Sequence, residues 1–129
     1  MPERPLSPHV LHYRWAYTMT LSILHRVTGM ALAVALIGFV LWLVAIASGP
    51  AGYTAWLPWL TSWPARVVYA LAIVALIFHF CNGLRHLAWD MGWGYERPQA
   101  RASAWVVVIA AVVASAVCLY LLVRHGVQS

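Results

Sequence analysis

Lysine is absent from this chain, and aspartate and glutamate together number only three. Charged residues of both signs make up 9% of the sequence, against roughly a quarter in a soluble globular domain. A water-facing surface cannot be built from so few charges. The eight basic residues, all arginine, leave a net charge of +5. They are scattered singly rather than gathered in a basic run, which argues against a nucleic-acid partner. Cysteine is scarce as well. Cys81 and Cys118 both lie inside apolar runs without CxxC spacing, so they read as small hydrophobes rather than as metal, cluster or disulfide sulfurs. A cleaved secretory signal is excluded by position, since the first apolar run opens only after Arg26 and is too long for the core of a signal peptide.

What is present is apolar length. Hydrophobic residues make up 64% of the chain, the composition of a protein that crosses a membrane several times. No charge interrupts Val27 to Ser48, a run that spans about 33 Å as a helix and so reaches across a bilayer core. A second run lies between Arg66 and Arg85, and a third between Arg101 and Arg124. The expected architecture is all-α, a single membrane domain over 1–129. It has an N-terminal arm at 1–21 and three spans at about 22–48, 65–90 and 102–124. Pro2, Pro5 and Pro8 argue against helix at the start of the arm. Gly49, Pro50 and Gly52 end the first span, and Gly92, Gly94 and Pro98 break the chain after the second. Trp56, Trp59 and Trp63 give residues 53–64 the composition of an aromatic belt lying in the membrane interface.

Arginine asymmetry sets the expected orientation. Arg4, Arg14 and Arg26 share a side with Arg85, Arg97 and Arg101, leaving Arg66 and Arg124 on the other. The positive-inside rule then places the N-terminus in the cytoplasm and the C-terminus in the periplasm. The start at Met1-Pro2, with no transit peptide before it, favours a bacterial inner membrane over a mitochondrial one.

Two polar stretches sit at the cytoplasmic edges of these runs. In the first, Ser22, Arg26 and Gly29 follow i, i+4, i+7 spacing on one helical face, with His25 adjoining. A serine hydroxyl donates to a carbonyl oxygen, an arginine offers a fixed fork of donors, and a glycine lets a flat group approach the backbone. The same position also suits an arginine that snorkels to the interface. In the second, His79, Asn82, Gly83 and His86 share a face. His79 reads as the one ionisable side chain well inside a span. An imidazole there suits an axial haem ligand, or equally a histidine bonded between helices or lying in a proton path. His86, beside Arg85, suits either a structural role at the helix C-terminus or a place near a haem or quinone. The third span carries no ionisable side chain and reads as scaffold.

Arg4-Pro5-Leu6-Ser7-Pro8-His9, Tyr13-Arg14, the stretch from Ser22 to Gly29 and the stretch from His79 to His86 with Asp90 occur in this order along the whole chain. In this the sequence resembles the cytochrome b556 membrane-anchor subunits of succinate dehydrogenase. The resemblance implies a haem b shared with a second small anchor subunit, which completes the helical bundle, with His79 as one axial ligand of the iron. It implies that Ser22 and Arg26 line a ubiquinone site near the iron–sulfur subunit, and that His25 and Arg26 lie near the haem propionates. It further implies a complex with a flavoprotein and an iron–sulfur protein that hold the FAD and the clusters and oxidise succinate, so that no catalytic residue for that oxidation is expected in this chain. The competing reading is a haem-free anchor that only tethers a soluble dehydrogenase. A transporter or proton channel would call for intramembrane carboxylates or broken helices, and Asp90 alone does not supply them.

Overall fold

The computed structural model describes residues 17–126, which form four α-helices and, among the described residues, no strand. They are α1 (Tyr17–Ala47), α2 (Gly49–Leu60), α3 (Trp63–Asp90) and α4 (Arg97–Gly126). The expected arm, with its Pro-rich motif and Tyr13-Arg14, lies outside the described residues except at 17–21, which already belong to α1. Three helices are long and apolar enough to cross a membrane: α1, α3 and α4.

The helix ends follow from local chemistry. At the end of α1 the Ser48 N–H still reaches the Val44 carbonyl, and Gly49 then turns left-handed at φ +81°, a conformation that costs glycine little. Pro50 stands in the first turn of α2, where a missing N–H loses no intrahelical bond. The Gly49-Pro50 pair therefore ends one helix and starts the next, so the aromatic-belt segment is helical. Trp59 and Trp63 are among its most exposed side chains. Ser62 caps α3 by accepting from the Ala65 N–H, with Pro64 in the first turn. Past α3, Gly92 and Gly94 adopt φ +85° and +80°.

Pro98 does not break the chain. It lies in the first turn of α4, which opens at Arg97 rather than near 102. The apolar run itself begins only after Arg101. Arginine disfavours bilayer, not helix, so the helix extends past that edge.

The core is small and built around α4. Ala100, Ala104, Val107, Ala111 and Ser115 are buried along one face, at the spacing of a helical stripe. Small side chains there let backbones approach closely, which is how helices pack where lipid removes the usual hydrophobic drive. α3 packs on both α1 and α4, and α1 also touches α4. Most large apolar side chains point outward; Val34 and Leu36 on α1, Leu76 on α3 and Val112 on α4 are each more than half exposed. Such a surface needs lipid or other membrane helices around it.

Candidate functional site

The start of α1 lies beside the end of α3, and three imidazoles meet there. The rings of His25 and His79 stack with centroids 3.9 Å apart and 8° between their planes. His86, two turns along α3, lies 5.0 Å from His25 at 43°. His79 Nδ1 is 3.1 Å from the His25 carbonyl oxygen and 3.3 Å from Thr28 Oγ1. Thr28 gives its own proton to the carbonyl of Leu24 or His25, at 2.7 and 3.0 Å. Its oxygen is thus left as an acceptor. Both contacts call for a proton on Nδ1, which leaves the lone pair of His79 on Nε2. Among the described residues Nε2 has no hydrogen-bond partner, and it is not one of the buried unpartnered atoms.

Gly29 fits this arrangement. A Cβ at that position would come within 3.0 Å of His79 Cε1, so the flat group admitted to the α1 backbone is the His79 ring itself. Gly83 lies under His25, with ordinary contact distance to spare. The residues present suit a haem ligand on three counts: the backbone engages Nδ1, Nε2 has no partner among the described residues, and the ring is seated on a glycine. Two buried polar groups close by lack partners among the described residues, His25 Nδ1 and the whole amide of Asn82.

Beside the imidazoles an open crevice of about 1220 Å³ runs between α1, the end of α3 and the start of α4. Ser22 and His86 line it, with Tyr17, Trp89, Tyr95 and Trp105, and Arg97 and Arg101 at its rim. Aromatic walls and convergent hydroxyl, imidazole and guanidinium groups give it the character of a site for a flat ligand with polar substituents. The Tyr17 hydroxyl donates to the Arg97 carbonyl at 3.4 Å, tying α1 to α4 across it. α4 is thus more than scaffold, since it supplies Trp105 and both rim arginines.

The structure divides the first polar stretch. Ser22 faces the crevice, Gly29 lies under His79, and Arg26 is exposed and not among the crevice-lining residues. Arg85, read from sequence as a topology determinant, is instead buried at 6% exposure. Nothing in residue type announced this; the only trace was its i, i+4 spacing to Trp89, over whose ring its guanidinium lies. His79 is accordingly not the sole ionisable side chain inside the bundle.

The chain was compared with known proteins on this basis. Residues 1–118 match the model of the family described as succinate dehydrogenase/fumarate reductase transmembrane subunit. The chain belongs to that family. It is 36% identical over 118 residues to the succinate dehydrogenase cytochrome b556 subunit of Paracoccus denitrificans, covering 91% of this chain and 90% of the relative. To the protein of the same description from Rickettsia felis it is 33% identical over 110 residues, 85% and 86% of the two chains. The human mitochondrial succinate dehydrogenase cytochrome b560 subunit is 36% identical over 115 residues, 88% of this chain and 68% of the relative. This chain is accordingly a multi-pass membrane protein of the succinate dehydrogenase/fumarate reductase family.

Proposed function

We propose that this chain anchors a succinate:quinone oxidoreductase in a bacterial inner membrane, holds one side of a haem b, and forms part of the site where ubiquinone is reduced. A second small anchor subunit would complete the bundle and share in holding the haem. The iron–sulfur and flavoprotein subunits carry the clusters and FAD, and dock on the cytoplasmic face. The observation that carries the reading is the setting of His79: its Nδ1 lies 3.1 Å from the His25 carbonyl oxygen, which calls for the proton there, while Nε2 has no partner among the described residues. His79 Nε2 would ligate the iron, and His25 and Arg26 would lie toward the propionates. When bound, the haem supplies a one-electron acceptor within the membrane.

Ubiquinone takes up two electrons and two protons and leaves as quinol, and negative charge builds on its carbonyl oxygens as electrons arrive. Ser22, on the crevice wall, is suited to donate its hydroxyl proton to one of those oxygens as a hydrogen bond. Arg26 sits one turn further along α1 on a long, mobile stem. Its permanent charge suits the reduced oxygen once partner subunits close the site around it. Trp89 and Trp105 offer the quinone ring apolar aromatic surface on the crevice wall.

A reduced-minus-oxidised spectrum of the purified complex is the test. The expected result is a b-type absorption that His79→Ala removes or alters. An unchanged spectrum in His79→Ala would sink the haem assignment, and a complex with no b-type band at all would favour the haem-free tether. For the quinone site, Arg26→Ala should lower quinone reduction about 10²-fold or more, the scale on which one charge-stabilising donor acts. Full activity in an assembled Arg26→Ala complex would remove that role.

A further inference from the structure

Arg85 is a buried cation bonded across two helices, and it does not line the crevice. Its Nε donates to Ser103 Oγ at 3.0 Å and its Nη2 to the Ala100 carbonyl at 3.0 Å, so α3 and α4 are joined at this point. The guanidinium carbon lies 4.0 Å from the centre of the Trp89 ring. Trp89 in turn donates its indole N–H to the Gly94 carbonyl at 3.1 Å, receives the ring of His86 edge-on at 5.3 Å, and stacks with Tyr95 at 6.0 Å. Trp89 forms a wall of the large crevice on one side and of a smaller, almost wholly apolar cavity of about 400 Å³ on the other. An indole between two voids has little packing to hold its angle. What holds it is the cation over one face, the hydrogen bond at its edge and the rings of His86 and Tyr95 beside it.

We infer that Arg85 is a positioning residue for the quinone crevice: by clamping Trp89 it fixes the aromatic wall against which a quinone ring packs, and so sets the affinity of the site. A planar, delocalised cation is needed for this. It can stack on the indole while its edge donates to Ser103 and Ala100, a combination that the point charge of a lysine does not reproduce. The inference rests on the crevice being the quinone site, as proposed above.

The test is steady-state quinone reduction by the assembled complex, with a short-chain ubiquinone as substrate and rates normalised to dye-linked succinate oxidation. Arg85→Gln and Trp89→Leu should each raise KM for quinone about fivefold, the scale of a partly desolvated cation–π contact. Arg85→Lys should restore only part of the loss. The double variant Arg85→Gln/Trp89→Leu should match Trp89→Leu alone, because the arginine acts through the indole. Losses that multiply in the double variant, or singles that leave KM unchanged, would overturn the inference. If Arg85→Gln prevents assembly, Trp89→Phe against Trp89→Leu takes its place, the ring-retaining variant being expected to hold KM closer to the parent and equal KM values counting against the clamp. Ser22→Ala separates the two levels. A raised KM there with no effect at Arg85 or Trp89 sinks the clamp alone. No change at any of these positions sinks the assignment of the crevice.

Discussion

Gly29 and Asn82 are two single positions where the packing makes opposite demands. At Gly29 a side chain has nowhere to go, because the imidazole of His79 lies where its Cβ would stand. Gly29→Val should push that ring off its carbonyl anchor, an overpacking cost of about 1–3 kcal/mol. We expect a shifted or weakened b-type band in a chain that still inserts; an unperturbed spectrum would mean that the ring does not depend on this seat. Asn82 is the reverse case. It is fully buried, and among the described residues neither its oxygen nor its nitrogen has a partner, a condition that costs about 1–3 kcal/mol for a buried polar group. Asn82→Leu should therefore raise the thermal midpoint of the complex. A lowered midpoint would show that the amide is satisfied by a water or another group in the assembly.

Between helices, the decisive contacts are few and small. α4 meets its neighbours through the stripe from Ala100 to Ser115, where there is no room for bulk. Ala111→Leu should separate α4 from the bundle at a cost of about 1–3 kcal/mol, seen as a lower midpoint of unfolding in detergent. Ser103 is the other link, accepting from Arg85 while donating to the Ala100 carbonyl at 3.2 Å. Ser103→Ala leaves Arg85 with one anchor on α4 and should destabilise by about 1–3 kcal/mol, as for a hydrogen bond to a charged group. A midpoint unchanged by Ser103→Ala would show that the Ala100 carbonyl alone secures the arginine.

At the scale of the whole molecule, the outward apolar faces and the arginine distribution govern how the chain sits and what surrounds it. With six arginines on the N-terminal side against two on the other, a phosphatase that folds only outside the cytoplasm should be active when fused to the C-terminus. It should be inactive when fused at Trp93, between α3 and α4. The reverse pattern would invert the proposed orientation and detach the imidazole cluster from the cytoplasmic face.

The all-helical fold and its three long apolar helices were readable from the order of amino acids. Charge cannot sit cheaply in lipid, so uncharged length marks a crossing, and histidine with glycine at helical spacing marks the exceptions. Helix ends were less readable at Arg97 and Pro98, where the limits of apolarity and of helicity differ. What only the folded arrangement decided is which polar groups meet. The one-dimensional pattern put Ser22, Arg26 and Gly29 on one face, but three-helix packing sends each to different surroundings. Arg85 and Arg26 are the same residue type at the edges of similar runs. One is buried over Trp89 and bonded to α4 while the other is exposed. That difference comes from what a third helix presents opposite each of them, which no spacing along a single helix encodes.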